Sequence, residues 1–531
     1  MPGLLSHFPD RSLRRASRLW HEYGIIWLGA IVVGLIAVFY ARLIDYGFSL
    51  FTAARDAYFW APLVISPAVG AASVWLTRRF FSGAEGSGIP QVIAMLHDDA
   101  KLGRTLLTPR IIVGKIGISF LAILGGFTIG REGPTVQVGA ALMYQLRRFY
   151  KHPNAALERQ LTLAGAAAGL SAAFNTPLAG IVFAIEELTR SFEQRASGVV
   201  ITAIIFAGIV ALGINGNYTY FGTIQIRPDF PKVLILAVIV IAVVTGIAGG
   251  GFCWLIINSA RWLPEPVRKL RLERPVVFGA ACGLLIAVIG LIAGGSSFGS
   301  GYAEAHGVLD GRQSMSLAYP FLKMASMIGS YLPGIPGGIF APSLAIGAGF
   351  GNLMHEVFAS LSIPMLIALG MVGYLAAVTQ APITAFVIVM EMINGHALVI
   401  SLMATSLIAS RVSKLFAPPF YESLSQRYGR VPAAVVTPSP QAEKADRVAE
   451  VSEGTPAEDS SDANAHANEA NANAHANEAN ANADTHANEP NAAANRSNAS
   501  ANGATPTTGD SNATDKGDRD QGQGKGQSSK D

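Results

Sequence analysis

Two adjacent charges, Arg131 and Glu132, interrupt a stretch of chain otherwise suited only to a lipid or protein interior. Ile111 to Ile129 is a nearly unbroken apolar run, and Thr135 to Leu146 is mostly apolar again. In hydrocarbon every backbone polar group must be satisfied within the chain, which limits spanning segments to helices and closed barrels. An ionisable side chain at that depth is costly and marks a functional site by default. The sequence around these charges then recurs. Gly133-Pro134-Thr135-Val136-Gln137-Val138-Gly139-Ala140 aligns without gaps on Ala341-Pro342-Ser343-Leu344-Ala345-Ile346-Gly347-Ala348. Further on, Asn175-Thr176-Pro177-Leu178 leads to Glu186, and Gln380-Ala381-Pro382-Ile383 leads to Glu391 at the same interval. Two related halves with short Gly/Pro-interrupted apolar segments point to a membrane transporter whose site lies near the bilayer midplane.

The 50% hydrophobic content averages two unlike regions, an apolar one up to about residue 430 and a polar remainder. Ile25 to Tyr40, Val233 to Ile257 and Val276 to Ile292 are long enough to span, or nearly span, about 30 Å of hydrocarbon. Ile89 to Leu96, Val136 to Leu146 and Leu178 to Ile185 are too short, and predict broken or re-entrant helices. The expected fold is therefore an all-α polytopic membrane protein of roughly a dozen and a half uneven helices, in two halves spanning about 20–215 and 230–428. Residues 1–19 form an N-terminal segment whose Arg11, Arg14, Arg15 and Arg18 place it in the cytoplasm; a signal peptide is the competing reading. Lys414, Arg427 and Arg430 place the far end of the membrane region on the same side.

From about Pro438 to Asp531 the chain is rich in Asn, Ala, Asp, Glu, Ser and Gly and nearly repeats itself, which predicts a disordered cytoplasmic tail. Its recurring His466, His475 and His486 fit repeat expansion better than a metal site. Cys253 and Cys282 lie in apolar runs and read as buried thiols. His97, His306 and His355 are scattered with no paired acid or ligand spacing, so no enzyme chemistry and no cofactor is expected. The formal charge of +3 includes no basic patch interleaved with aromatics, which argues against nucleic acid.

An anion crossing a membrane needs donors to replace its water, preferably without full positive charges that would trap it. Helix N-termini supply unpaired N–H groups and a positive dipole end. Three segments read as a loop followed by a helix start: Gly86-Ser87-Gly88-Ile89-Pro90, Gly130-Arg131-Glu132-Gly133-Pro134 and Gly337-Gly338-Ile339-Phe340-Ala341-Pro342. Glycine permits close backbone approach, and proline in the first turn removes an N–H that has no partner there anyway.

These motifs, in this order and at these separations, resemble the signature set of the CLC family of chloride channels and chloride/proton antiporters, prokaryotic type, over residues 20–428. The resemblance implies halves of inverted topology around an hourglass-shaped anion path, and a homodimer with one pathway per subunit in a bacterial inner membrane. Ser87 matches the serine that donates to the central chloride, with an N-cap role as the competing account. Ile339 and Phe340 match residues whose N–H groups complete that site. Tyr421, in Pro418-Pro419-Phe420-Tyr421, matches the tyrosine that donates to the same ion; a membrane-interface aromatic is the rival reading.

Glu132 matches the gating glutamate and external proton acceptor. An ionised carboxylate there competes with chloride for one anion position, and protonation releases it, linking a proton and an anion at one residue. Arg131 need not pair with it, because successive helical residues do not face each other. Glu187, second of the pair Glu186-Glu187, matches the internal proton-transfer residue; only one of the two can face a given pathway. Lys115 matches a family lysine that either raises local positive potential or balances a structural acid. Glu391 reads as structural. Gln91, and Tyr331 to Pro336 before the third motif, depart from the family pattern. The resulting expectation is chloride/proton exchange across a lipid bilayer. A passive, voltage- or pH-gated chloride channel is the alternative, and an exporter of fluoride or nitrate the lesser one.

Overall fold

The computed structural model describes residues 10–97, 100–189, 198–216, 220–222, 232–311 and 315–429. The tail expected at 438–531, with its histidines, lies outside the described residues, as does Arg430. The first half contains α1 (Asp10–Ala57), α2 (Ala61–Phe80), α3 (Ile89–His97), α4 (Gly103–Leu106), α5 (Pro109–Leu124), α6 (Glu132–Gln145), α7 (Ala155–Phe174), α8 (Pro177–Phe183) and α9 (Gly198–Asn215). The second contains α10 (Lys232–Ile257), α11 (Ser259–Trp262), α12 (Glu265–Glu273), α13 (Pro275–Ile292), α14 (Tyr302–Leu309), α15 (Tyr319–Tyr331), α16 (Phe340–His355), α17 (Ile363–Thr379), α18 (Pro382–Ile393), α19 (Val399–Ser413) and α20 (Phe420–Gly429). No strand occurs among the described residues; one isolated antiparallel bridge joins Gly130 to Gly338.

Five helical stretches, Tyr23–Ala57, Gly198–Asn215, Lys232–Ile257, Pro275–Ile292 and His396–Ser413, are long and apolar enough to cross a membrane. Among the remaining helices α3, α6 and α8 are short, at 9, 14 and 7 residues, as the interrupted runs predict. Helix starts follow local rules. Thr108 Oγ1 accepts from Ile111 N at 3.3 Å ahead of Pro109, and Asn154 Oδ1 accepts from Leu157 N at 2.8 Å.

The repeat read from the sequence is a repeat of backbone geometry. Asn175 and Gln380 both end their helices at φ 58°, and Pro177 and Pro382 each begin the next. Gly139 lies against Gly165 where α6 crosses α7, and Gly347 lies against Gly370 where α16 crosses α17. In both crossings a Cβ would strike the facing backbone carbonyl, so only glycine allows this approach.

Two acids tie the halves together. Glu186 accepts from Ile383 N at 3.0 Å and Thr384 N at 2.6 Å, at the start of α18. Glu391 returns the arrangement, accepting from Leu178 N at 3.1 Å and Ala179 N at 2.7 Å at the start of α8. Each carboxylate satisfies helix-start donors that have no intrahelical partner. The structural reading of Glu391 is consistent with these bonds, and Glu186 shares the role.

Cys253 and Cys282 are buried free thiols. The histidine reading needs one correction: His306 does have an acid, its Nδ1 lying 3.3 Å from Asp310 Oδ2 one turn further along the chain.

Candidate anion pathway

The three Gly/Pro segments converge. Gly130 and Gly338 each donate to the other's carbonyl at 2.7 Å, bringing the starts of α6 and α16 together. Gly337 N donates to Gly86 O at 3.0 Å, which fixes the Ser87 loop to the same place. Gly133 abuts Ser87 so closely that a Cβ would meet its Oγ. Thus Gly86, Ser87, Gly88, Ile89 and Pro90, then Gly130 to Pro134, then Gly337 to Pro342 form one locus at which two helix starts point.

Neutral donors line it. Ser87 is 1% exposed. Tyr421 is fully buried, and its hydroxyl faces that of Ser87, with no other polar partner for either side chain among the described residues. That burial overturns the interface-aromatic reading of Tyr421. The ring lies 6.2 Å from that of Phe340, which in turn packs edge-on against Phe174 and Phe183. Ile339 and Phe340 are each 1% exposed, and they stand at the start of α16, where the first N–H groups have no intrahelical acceptor. Buried donors are costly unless something accepts from them.

Glu132 is the first residue of α6 and is buried. Its carboxylate is directed at its own N–H and that of Ala341, in the first turn of α16, and one oxygen sits against Gly130. Arg131 turns the other way: Nη1 donates to Asp45 Oδ1 at 2.7 Å and to Ala41 O at 2.8 Å, both on α1. The carboxylate therefore occupies a helix N-terminus with no guanidinium bonded to it.

Glu186 and Glu187 lie in a π-helical turn, Ala184–Thr189, that continues α8. Insertions of this kind re-aim side chains and concentrate at functional sites. Glu186 leaves toward α18, while Glu187 is 3% exposed and within electrostatic reach of Tyr421. The pair divides as the helical spacing requires.

Lys115 is buried, with Glu85 the acid within electrostatic reach. Its Nζ donates to Ala84 O at 2.8 Å and Gly86 O at 2.9 Å, with Glu85 O at 3.4 Å, so it holds the Ser87 loop from behind. Gln91 and Gln137 brace the same loop through Gly83 O at 3.2 and 3.1 Å. A residue the sequence reading passed over is Tyr331, whose hydroxyl sits at the Ser87 N–H and over Gly86. Its signal was present in the departure from the family pattern at Tyr331 to Pro336.

A buried carboxylate at paired helix starts, next to buried neutral hydroxyls, belongs to a polytopic helical protein with several helices apolar enough to cross a membrane. Residues 69–414 match the family described as Voltage gated chloride channel. The chain is similar to the H(+)/Cl(-) exchange transporter ClcA of Vibrio campbellii, 31% identical over 69% of this chain and 79% of that one. It is 29% identical to the ClcA of Salmonella agona, over 79% of this chain and 91% of that one. A solved slow cyanobacterial Cl-/H+ antiporter superposes with a TM-score of 0.64 at 26% identity, covering 76% of this chain and 98% of that one. A CLC-type fluoride/proton antiporter shares the fold at 20% identity and a TM-score of 0.63. This chain belongs to the voltage-gated chloride channel (CLC) family, and is an integral, multi-pass membrane protein.

Proposed function

We propose that this protein exchanges chloride for protons across the membrane, with Glu132 as gate and external proton acceptor, Glu187 as internal proton-transfer residue, and Ser87, Ile339, Phe340 and Tyr421 as the chloride site. The observation that carries this reading is the Glu132 carboxylate lying at the Ala341 N–H, at the start of α16. An anion brought to that helix start meets a carboxylate already there, because both seek the same donors.

The exchange follows from that competition. Ionised, Glu132 holds the position and bars chloride. Protonation removes its charge and its claim on the helix-start donors, so the side chain leaves and chloride takes its place. Return of the carboxylate requires loss of the proton and expels the anion, so each passage couples the two ions. Ser87 and Tyr421 supply neutral hydroxyls, which bind chloride without the trapping that a lysine or arginine would impose. Glu187, buried on the Tyr421 side, offers a second carboxylate for protons arriving from the opposite face. The relatives named above are described as exchangers, which supports coupled transport over passive conduction.

The same reading makes the protein a homodimer with one path per subunit, and places both termini in the cytoplasm of a bacterium. Purified protein in sealed vesicles, given a chloride gradient with the potential clamped, drives protons against their own gradient on this account. Chloride flux without proton movement would make it a channel.

A further inference from the structure

The cavity that begins at Ser87 is far larger than a chloride ion requires. It has a volume of about 610 Å³ and is lined also by Ser259, Arg271 and Arg427. A second recess of about 450 Å³ shares Ser82, Glu85 and Arg271 with it and adds Arg78. Arg271 and Arg427, from α12 and α20, thus line the cavity at Ser87, and Arg78, from α2, lines the adjoining recess that Arg271 also borders.

Among the described residues none of the three forms an ion pair. Arg271 is half-buried and donates from Nη1 to Ser259 Oγ at 2.9 Å. Arg427 is exposed and reaches the Ile257 carbonyl at 3.4 Å. Burial, then the charge of Arg427 and more weakly that of Arg78, depress the pKa of Arg271. The carboxylate on the lining, Glu85, is folded onto its own loop, both oxygens accepting from Gly83 N at 3.1 and 2.9 Å. Like charges gathered in a concave, partly apolar site focus field on it and favour a counter-ion. An anion with several phosphate oxygens suits such a site better than a single chloride, because the planar guanidinium fork matches phosphate geometry.

We propose that this arginine-ringed vestibule binds a small multivalent phosphate-bearing anion, which plugs the path below Ser87 and inhibits transport. The inhibitory half of this rests on the chloride-path reading above; the binding half does not. Such phosphate chemistry comes either from a soluble oligophosphate or from a phosphomonoester lipid headgroup presented at the membrane surface.

The test uses full-length protein and sodium tripolyphosphate. Calorimetry in detergent is expected to show binding to the wild type that weakens tenfold or more in Arg271→Gln, and likewise in Arg427→Gln. Chloride efflux from vesicles of neutral lipid is expected to fall over the same tripolyphosphate range, with the variants resistant. If inhibition instead needs phosphatidate in the vesicle and still depends on Arg271, the source is the lipid and the site stands. Equal binding by wild type and both variants would overturn it. So would variants with reduced flux but unchanged tripolyphosphate sensitivity, since the arginines would then only concentrate chloride. Because calorimetry needs no transport, a protein that binds tripolyphosphate yet moves no chloride would sink the exchanger reading, and the inhibition with it, and leave the phosphate site standing.

Discussion

Gly130 and Gly338 exchange both of their backbone hydrogen bonds, each at 2.7 Å. They stand at equivalent places in the two halves, one ahead of Gly133-Pro134 and the other ahead of Ala341-Pro342. Reciprocal bonding between equivalent residues is what a local two-fold axis produces, and its consequence is chemical. Two helix starts are forced onto one point, so their dipoles add where a single helix would offer a weaker anion site.

Gly338→Ala tests that convergence. A Cβ there would lie 3.0 Å from Pro134 Cδ and 3.1 Å from both Gly130 O and Gly133 N, so backbone must move. Such overpacking costs about 1–3 kcal/mol. Chloride binding, read by calorimetry, is expected to weaken about tenfold or more; unchanged affinity would separate the anion site from the bridge.

The two buried lysines do the same work in the two halves. Lys323 Nζ donates to Phe298 O at 2.8 Å, Gly299 O at 3.0 Å and Ser297 O at 3.1 Å, as Lys115 does to the loop at 84–86. Lys115→Met and Lys323→Met each strip buried carbonyls of their donor, at about 1–3 kcal/mol for each group left unsatisfied. Both are expected to lower the thermal midpoint of the detergent-solubilised protein. Only Lys115→Met is expected to weaken chloride binding as well, because only its loop carries Ser87.

That lysine pairing shows where sequence reading stopped. The loop Gly299-Ser300-Gly301, with φ of 63° and 83° at its glycines, copies Gly86-Ser87-Gly88, with 60° and 93°. The copy was invisible because its distance to the lysine differs: Gly86 precedes Lys115 by 29 residues and Gly299 precedes Lys323 by 24. Gap-free matching finds Gly133 to Ala140 and loses this. The three Gly/Pro motifs and the acid positions were legible because spacing alone carried them. The division of labour between Glu186 and Glu187 was legible only as a constraint, since the π-helical turn that aims them depends on packing. Tyr331, Arg271 and Arg427 come to line one cavity only through tertiary packing and leave no local pattern.

Glu186, Glu187 and Glu391 separate by role. Glu186→Gln and Glu391→Gln each replace a carboxylate that accepts two backbone N–H groups, and should cost about 1–2 kcal/mol of stability. Proton coupling is expected to survive in both. Glu187→Gln should leave stability nearly unchanged and abolish coupled proton movement while chloride still flows. Loss of coupling in Glu391→Gln with Glu187→Gln intact would reverse these assignments.

The most direct measurement compares wild type with Glu132→Gln in sealed proteoliposomes, recording proton and chloride flux together under a chloride gradient at clamped potential. The account predicts uphill proton movement in the wild type, and chloride flux with no proton movement in Glu132→Gln. Proton transport that persists without the Glu132 carboxylate would contradict it.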